Sequence, residues 1–322
     1  MSVLILSELD VRQLLDMPSC VAAMETALAN LARGTVYNPL RFVIRPPDAG
    51  TFMGFMPAYM AGDDPIFSLK EVVIAPANHT RGLDSHQGAV MIHDATTGML
   101  RGIVNGSAIT QIRTAAVSAV ATRLLARPSA RRVAILGSGV QARSHVDAMR
   151  FAITDAEITI WSRDPEHAQR LAAQTGCSVT ATIEDALDGA DVVCTTTSSK
   201  EPIVTRAMLA PGTHWNAVGS SVATAREFSG EAIAAVSLFV DRRESTLNEA
   251  GDYLDAARET GIGPDHIRAE LGELLIGAHP GRTSDGEITL FKSLGIAVED
   301  LAAAQLCLQR GRELGIGVEV EL

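Results

Sequence analysis

A glycine-rich turn stands out among the segments whose residues can do chemistry. The apolar run 133–136 leads into Gly137-Ser-Gly139, and an amphipathic segment follows at once. This order is typical of a buried strand, a tight turn and a helix N-terminus, which together bind the pyrophosphate of a dinucleotide. Gly137 permits the turn, Gly139 lets the backbone approach the phosphates, and Ala142 replaces a third glycine. The alternative is a glycine turn without a ligand, which chance also produces.

The residues after the next predicted strand bear on the choice of nicotinamide cofactor. Run 158–161 is followed by Ser162 and Arg163, where NAD-binding proteins usually place an acidic residue for the ribose hydroxyls. A small hydroxyl and a guanidinium suit a 2′-phosphate, because arginine makes charge-assisted, bidentate contacts. Asp164 is the nearest carboxylate, but it can instead cap the helix that follows. We therefore favour NADP(H), with NAD(H) as the alternative; a merely solvated Arg163 is the simpler interpretation.

Three basic residues occupy positions that favour the binding of an anion. Arg41 and Lys70 each interrupt an apolar run, where an unpaired charge is costly. Arg113 lies within two turns of a predicted helix N-terminus, whose dipole adds to the attraction for an anion. Three buried structural ion pairs are the alternative interpretation. Because burial lowers the pKa of a lysine, Lys70 is also a candidate proton donor.

Length and charge limit the classes of partner. A chain of 322 residues suits two domains, and a net charge of −11 argues against nucleic acid or an anionic membrane as partners. No stretch approaches the roughly 20 apolar residues of a membrane span, and the N-terminus lacks a signal-sequence pattern. His79, His86 and His93 are evenly spaced, but no cysteine or carboxylate completes a metal site, so no metal is predicted. We expect a reduced, soluble, cytoplasmic protein.

Hydrophobic periodicity separates two kinds of structure along the chain. After a short strand and two helices, residues 39–106 alternate with a period near two, which is typical of an antiparallel meander. A long helix, capped by Asn105 or Ser107, then leads into alternating strands and helices, which predict a doubly wound parallel sheet. A last helix covers about 296–314, with acidic residues early and basic residues late, as the helix dipole prefers.

Motifs spread over nearly the whole length match one family. They are Asn38-Pro-Leu-Arg41, Met56-Pro-Ala-Tyr59, Ser85-His-Gln87, Ile109-Thr-Gln-Ile-Arg113-Thr-Ala-Ala, Ile135-Leu-Gly-Ser-Gly-Val-Gln-Ala-Arg-Ser-His145, Asn216-Ala-Val-Gly219, Val240-Asp241, Glu249-Ala-Gly-Asp252 and Phe291-Lys-Ser-Leu-Gly295. With these motifs in this order, the chain resembles the ornithine cyclodeaminase and mu-crystallin family, which also contains archaeal-type alanine dehydrogenases and imine reductases.

The resemblance implies a homodimer in which the N-terminal sheet carries the substrate site and pairs with its twin. It also implies that the C-terminal helix returns to the N-terminal domain. We therefore expect an α+β domain with an antiparallel sheet, formed by residues 1–120 and 296–322, for substrate binding and dimerisation. Residues 121–295 are expected to form a Rossmann dinucleotide-binding domain.

The resemblance also implies the site residues. Family members bind an α-amino or α-imino acid between the domains, and the residues that hold its carboxylate match Arg41, Lys70 and Arg113. Further expected substrate contacts are Met56 and Leu294, and Ser221 joins Lys70 and Arg113 as a catalytic residue. The expected cofactor-binding residues are Thr114, Gly137, Ser138, Gly139, Val140, Gln141, Ser162, Arg163, Thr197, Val218, Gly219, Ser220, Ser293 and His86. A structural hydrogen bond is the equally weighted alternative for His86.

Two positions depart from the cyclodeaminases. Ser221 stands where those enzymes carry an aspartate that acts on the substrate nitrogen, and a serine hydroxyl is a poor general base near neutral pH. Gly54 stands where they place an acidic residue ahead of the Met56-Pro57 pair. Mu-crystallin, a ketimine reductase, likewise has serine at the first position. Both departures favour reduction of a C=N bond over cyclodeamination.

The sequence thus predicts NAD(P)H-dependent reduction of an α-imino acid to an L-amino acid, with hydride passing from the nicotinamide to the imine carbon. Ketimines, iminosuccinate and cyclic imines are all candidate substrates. Arg45, His79 and Arg81 would serve a second carboxylate, or are simply solvated. The alternatives are an ornithine cyclodeaminase, which forms proline and ammonia, and a non-catalytic protein that binds NADPH or another ligand.

Overall fold

The computed structural model describes residues 2–321, except for the side chain of His79. The chain divides into two compact units. The first contains the residues up to Arg113 and those from Ile296 onward, and the second is Thr114–Gly295. The division falls inside one helix rather than after residue 120, because an unbroken helical pattern does not reveal which of its residues pack on which unit.

The first unit is a sheet covered by helices. Its strands follow the order β16-β1-β7-β6-β5-β4-β2, and β3 also pairs with β4. The strands are β1 (Ser2–Leu6), β2 (Val36–Tyr37), β3 (Phe42–Ile44), β4 (Phe52–Met60), β5 (Ile66–Ile74), β6 (His86–Asp94), β7 (Leu100–Asn105) and β16 (Val318–Glu321). The helices are α1 (Glu8–Leu14), α2 (Met17–Ala32), the beginning of α3 (Gly106–Leu125) and α11 (Ala297–Leu314).

The meander from β4 to β7 is antiparallel, as the two-residue period predicts. The sheet is nevertheless mixed, because β1 pairs with β7 in parallel. The antiparallel sheet expected from the sequence is therefore present, and β1 lies beside it in a parallel pairing that periodicity does not reveal.

Alternation along β4 and β5 gives the sheet two different faces. Met56 and Lys70 are direct neighbours across these strands, and both are buried. Helix α11 packs against β4, β5 and β6. On the other face, Phe67 is half exposed. The basic residue Lys70 therefore lies on the covered face, where an unpaired charge would be costly.

The second unit is a parallel sheet with the order β10-β9-β8-β11-β12-β15-β13-β14. The strands are β8 (Arg132–Leu136), β9 (Glu157–Trp161), β10 (Ser178–Val179), β11 (Val192–Thr195), β12 (His214–Ala217), β13 (Ser237–Val240), β14 (Ile267–Glu270) and β15 (Thr289–Lys292). The helices are α4 (Val140–Ala152), α5 (Pro165–Thr175), α6 (Ile183–Leu187), α7 (Gly230–Ala234), α8 (Arg243–Glu249), α9 (Gly251–Thr260) and α10 (Leu271–Leu275), besides the rest of α3. The predicted doubly wound α/β fold is confirmed.

Strand β15 is an interior strand of this sheet and lies between β12 and β13. The sequence predicted only a last strand and turn in this region, without its place. A core cluster that includes Trp215 and Phe228, in edge-to-face contact at 5.5 Å, lies within the unit. Among the described residues, no helix combines the length and the apolar character needed to cross a membrane.

Candidate functional site

Two of the three predicted anion-binding residues converge on one carboxylate in the first unit. Lys70 Nζ lies 3.1 and 3.2 Å from the two carboxylate oxygens of Asp300, and Arg113 Nε donates to Asp300 Oδ1 at 2.9 Å. Arg113 Nη1 also donates to Glu299 Oε2 at 2.6 Å. Strand β5, helix α3 and the first turn of α11 together position this cluster.

All four side chains of this cluster are almost fully buried. The alternative of structural ion pairs therefore describes part of what Lys70 and Arg113 do. Arg41 is half-buried in the segment before β3 and lies close enough to Lys70 to influence its charge. The cluster thus combines three cations with two carboxylates, which makes it a charged site inside a dry surrounding.

Burial lowers the pKa of Lys70 from its usual value to about 8. Asp300 opposes this change, because a negative charge favours the ammonium form, whereas Arg113 and Arg41 lower the pKa further. Lys70 thus remains mainly protonated at neutral pH but exchanges its proton far more readily than a solvated lysine. The predicted suitability of Lys70 for proton transfer rests on this environment.

His86 lies at the start of β6, near the same cluster. Burial lowers its pKa, and the charges of Lys70 and Arg113 add to this effect. Its Nδ1 is 3.0 Å from Ser85 Oγ. The structure therefore provides the hydrogen bond that the sequence offered as the alternative to cofactor binding.

Sequence reasoning missed the acidic half of the cluster. It interpreted Glu299 and Asp300 as residues that favour the helix dipole, which is a common role for acidic side chains in a first turn. The available signal was that both residues fall on the apolar face of α11, between Val298 and Leu301. A carboxylate there needs a buried partner, and the partners lie about 190 and 230 positions earlier in the chain.

The residues named for a second substrate carboxylate do not gather at this cluster. The guanidinium of Arg45 lies over the ring of Phe52, 4.3 Å from its centroid. Arg81 is exposed, and the side chain of His79 lies outside the part of the chain that the structure describes. The described contacts therefore give no support to a site for a dicarboxylic imine here.

In the second unit, the glycine turn has the shape that a dinucleotide needs. Gly137 adopts φ 132°, and a Cβ atom there would lie 2.6 Å from Thr196 Oγ1, so only glycine fits. Gly139 is the N-cap of α4, and a Cβ atom there would meet open space. Among the described residues, no side chain caps this helix. Its first N–H groups and its dipole fit a phosphate, and the exposed Val140 and the half-buried Gln141 begin the helix beside them.

The residues after β9 form a small polar network. Ser138 Oγ donates to Ser162 Oγ at 2.8 Å, which ties the glycine turn to the end of β9. Asp164 caps α5 by accepting from the backbone N–H groups of residues 166 and 167. Arg163 is exposed, without an ion pair among the described contacts. The carboxylate of Asp164 is therefore engaged as the N-cap of α5, and the guanidinium of Arg163 remains available for a ligand.

A buried carboxylate organises the loops that follow β11 and β12. Glu227 accepts hydrogen bonds from the hydroxyls of Thr195 and Thr197 at 2.6 and 2.7 Å. It also accepts from the backbone N–H groups of Thr197 and Gly219 at 2.9 and 2.8 Å. A Cβ atom on Gly219 would lie 2.4 Å from Glu227 Oε1, so this close approach requires glycine. No local sequence pattern marks Glu227 as important, because it stands in an ordinary polar segment.

Lys292 supports the next part of the same loop. Its Nζ lies 2.8 Å from Asp252 Oδ2 and donates to the carbonyl oxygen of Ser220. Asp252 Oδ1 in turn accepts from the backbone N–H groups of Glu227 and Phe228 at 2.8 and 2.9 Å. These contacts fix the loop from which Ser221 projects as a half-buried side chain.

The remaining predicted residues are spread over both units. Leu294 contributes its side chain to the apolar core of the second unit, and its N–H donates to Asp241 Oδ2 at 2.7 Å. This placement suits a core residue better than the substrate contact that was expected. Thr114, Val218 and Ser293 are buried in the second unit, and Met56 is buried beside Lys70 in the first. Among the side chains of residues 2–321 other than His79, no group of three or more His, Cys, Asp or Glu residues is arranged to hold a metal ion.

Relatives of known activity cover nearly the whole chain. The mouse ketimine reductase mu-crystallin is 39% identical over 291 residues, which is 89% of this chain and 90% of the relative. The solved structure of the Thermococcus litoralis Δ1-pyrroline-2-carboxylate reductase, in complex with NADH and L-proline, is 33% identical with a TM-score of 0.94. It covers 99% of this chain and 100% of the other. The expectation that this chain is akin to nicotinamide-dependent imine reductases is confirmed.

A third relative is an archaeal alanine dehydrogenase, solved as a dimer with bound NAD. It is 27% identical with a TM-score of 0.93, and all of both chains is covered. The sequence profile described as the ornithine cyclodeaminase/mu-crystallin family matches residues 1–313. The motifs between Asn38 and Gly295 were therefore interpreted correctly, and the chain belongs to the ornithine cyclodeaminase/mu-crystallin family.

Proposed function

We propose that this protein reduces the C=N bond of an α-imino acid to an L-amino acid, using a reduced nicotinamide dinucleotide. The observation that carries the proposal is Lys70, a buried lysine whose pKa is lowered to about 8 and whose neighbours include Arg113 and Arg41. Such a cluster attracts one carboxylate and can also supply a proton to a neighbouring nitrogen.

Arg41, Lys70 and Arg113 would hold the substrate carboxylate through charge-assisted hydrogen bonds. Buried in a dry site, these contacts are stronger than they would be in water, and they orient the imine carbon. Met56, the cross-strand neighbour of Lys70, would offer apolar contact to the rest of a small substrate. Leu294 is now the weakest of the substrate contacts that the sequence predicted.

The reduced nicotinamide supplies the hydride that the imine carbon receives. The protonated Nζ of Lys70 would hold a proton for the imine nitrogen, since an imine protonated on nitrogen is the better electrophile. The hydroxyl of Ser221 would make a hydrogen bond to the same nitrogen, without the charge that a cyclodeaminase uses. Reduction needs less acid–base chemistry than deamination, so a serine suffices at this position.

The second unit would hold the dinucleotide. The Gly137–Gly139 turn and the N-terminus of α4 fit the pyrophosphate, with Val140 and Gln141 alongside. The remaining residues proposed for contact with the cofactor are Thr114, Thr197, Val218, Gly219, Ser220 and Ser293. His86, in the first unit, keeps its proposed cofactor contact beside the observed hydrogen bond to Ser85.

We further propose a preference for NADP(H). Asp164 is occupied as a helix cap, so it is poorly placed to accept from the ribose hydroxyls. Ser162 and the exposed Arg163 suit a 2′-phosphate instead. Relatives whose structures contain NADH or NAD show that the family also accepts the cofactor without this phosphate. The preference is therefore carried by the residues of this chain after β9.

The proposal is tested by absorbance of the reduced nicotinamide with a panel of imines. The panel contains the cyclic imines of proline and pipecolate, and pyruvate, glyoxylate or oxaloacetate mixed with an amine. Loss of the absorbance in proportion to amino acid formed, with one member preferred, is the expected outcome. A silent panel, together with release of ammonia and proline from ornithine in the presence of catalytic NAD, would instead identify a cyclodeaminase.

We also propose that the protein is a homodimer that pairs through the outer face of the first unit's sheet. This face exposes Tyr37, Phe42, Ile44 and Phe67, each with 45% or more of its surface accessible. Apolar patches of this kind usually mark protein–protein interfaces. The archaeal alanine dehydrogenase relative is itself a dimer.

Light scattering after size-exclusion chromatography tests the dimer. We expect a mass twice the 34.0 kDa of one chain. Phe67→Glu should shift the mass to that of one chain, because a buried unpaired carboxylate is costly. Leu314→Glu, at an exposed apolar residue on α11, is the matched control and should leave the mass unchanged. A monomeric wild type, or equal effects of both variants, would contradict this interface.

A further inference from the structure

The first turn of α11 contacts the three segments that carry Arg41, Lys70 and Arg113. The backbone N–H of Val298 donates to Asn38 Oδ1 at 2.8 Å, and Asn38 lies three positions before Arg41. The next residue after Val298 binds Arg113, and the one after that binds Lys70 and Arg113. One helical turn therefore holds all three cationic segments.

Asp300 occupies the central place in this arrangement. Its Oδ1 atom is 3.1 Å from Lys70 Nζ and 2.9 Å from Arg113 Nε, so a single oxygen serves both cations. Asp300 itself is fully buried, and both cations are 3% exposed. Without Asp300, two like charges would face each other in a dry surrounding, which is strongly unfavourable.

Asp300 does not exhaust the donors of Lys70. A protonated amine has three N–H groups, and the two short contacts of Lys70 Nζ both go to the oxygens of this one carboxylate. Within the contacts of the described residues, at least one N–H group is therefore left for a ligand. The carboxylate fixes the ammonium from the side of the helix and leaves it able to bind an anion.

We propose that Asp300 is a positioning residue for imine reduction: it fixes Lys70 and Arg113 relative to each other and keeps the proton on Lys70. The inference rests on the proposed function, because it gives Asp300 a part in binding the same substrate. Glu299, the preceding residue, accepts a hydrogen bond from Nη1 of Arg113 and helps to hold its guanidinium. A substrate carboxylate then meets a cationic pair that is already in place, which reduces the ordering that binding requires.

The electrostatic consequence follows from the groups that face Lys70. Arg113 from α3, Arg41 from the segment before β3 and the burial itself all lower the pKa of Lys70, and Asp300 from α11 is the group that raises it. His86 from β6 also lies within range and has a lowered pKa, so it adds little positive charge near neutral pH. An opposite charge this close typically shifts a pKa by about 1–3 units. Removal of the Asp300 charge should therefore leave Lys70 largely neutral at pH 7.

The test measures Asp300→Asn against the wild type across a pH range. The probe is pyrrole-2-carboxylate, a planar carboxylate with no C=N bond to reduce, whose binding is followed by calorimetry from about pH 5.5 to about pH 9. We expect the loss of binding on the basic side to begin about 1–3 pH units lower in the variant. The pH profile of kcat/KM for the imine substrate should move by a similar amount. A profile that stays in place would overturn the proposal.

Two further variants separate positioning from a general structural role. Glu299→Gln, which alters the contact with Arg113, should weaken binding of the probe but leave the pH at which binding is lost unchanged. A shift in this pH equal to that of Asp300→Asn would contradict the assignment to Asp300. Lys70→Arg keeps its charge at any pH, so the basic loss of binding should disappear both alone and with Asp300→Asn. A loss of binding at basic pH that persists in Lys70→Arg would show that another group titrates, and it would overturn the proposal that Asp300 acts by keeping the proton on Lys70.

The two proposals fail in different ways. A wild type that binds the probe with the expected pH limb, but reduces no imine, would refute the proposed function and leave the role of Asp300 in anion binding intact. A wild type that reduces imines, with an unmoved limb in Asp300→Asn, would refute only the role of Asp300. Affinity for NADH, measured by fluorescence, is the folding control, and we expect no change in it.

Discussion

The protein contains two buried lysines, each paired with a buried aspartate, and their surroundings differ. Lys70 contacts Asp300 through both carboxylate oxygens and lies beside Arg113 and Arg41. Lys292 contacts Asp252 and also donates to a backbone carbonyl, that of Ser220. The first lysine therefore has two arginines near it, and the second has the carboxylate of Glu227 and a backbone carbonyl in addition to its aspartate.

This difference distinguishes a lysine suited to ligand binding, Lys70, from a lysine with a structural role, Lys292. Around Lys292, the aspartate also accepts two backbone N–H groups, so the pair holds a loop in one conformation. Around Lys70, two further cations, Arg113 and Arg41, add positive charge, which favours the binding of a carboxylate. Burial and an aspartate partner alone do not mark a functional lysine; the character of the remaining neighbours does.

Removal of the Lys70 charge is the strongest test of the difference between the two lysines. We expect Lys70→Met to lower kcat/KM for the best imine by about 10²–10⁴-fold, because a proton donor and a carboxylate contact are both lost. Affinity for NADPH should stay within about twofold, since all the residues proposed for the dinucleotide except His86 lie in the other unit. Initial rates and fluorescence titration measure the two effects. Full kcat/KM in this variant would show that Lys70 has neither role.

The matched change in the second unit should have a different outcome. Lys292→Met leaves Asp252 without its buried counter-charge, so we expect the free energy of unfolding to fall by about 3–5 kcal/mol. Cofactor affinity should weaken as the loop at Ser220 loosens, while the pH profile of the folded enzyme keeps its shape. Urea denaturation provides the measurement. A free energy of unfolding within about 1 kcal/mol of the wild type would show that Lys292 does not stabilise the fold.

The smallest expected effect concerns Arg163, a cation that faces solvent rather than a cluster. Arg163→Ala should raise the KM for NADPH about tenfold, the equivalent of about 1.4 kcal/mol, and leave the KM for NADH unchanged. Arg143→Ala is the control, because this exposed arginine on α4 is engaged with Gln174. Equal effects on the two cofactors would show that the enzyme does not read the 2′-phosphate with Arg163.

Local patterns were sufficient to predict most of the elements, but not their pairing. Strand β5 and helix α11 lie within a residue of the positions that periodicity predicts, because each buries one continuous face. The parallel pairing of β1 with β7, and the insertion of β15 between β12 and β13, are contacts between distant segments. No local period encodes a distant partner, so these features required the structure.

The residues of the candidate site likewise fall into those that local sequence could predict and those that it could not. Gly137 and Lys70 were predictable because each is unusual where it stands: a glycine between strand and helix, and a charge within an apolar strand. Asp300 and Glu227 were missed because an acidic residue early in a helix or in a polar loop has ordinary explanations. Their importance comes from burial, which the sequence around them does not reveal.

The discontinuous first unit has a consequence for synthesis on the ribosome. Lys70 and Arg113 precede Asp300 by 230 and 187 residues. At about 5–20 residues per second, they are translated roughly 10–50 seconds before their shared counter-charge exists. The second unit, residues 114–295, is complete before that moment. The nascent chain thus acquires its second unit first, and Lys70 and Arg113 remain without their shared counter-charge until Asp300 is translated.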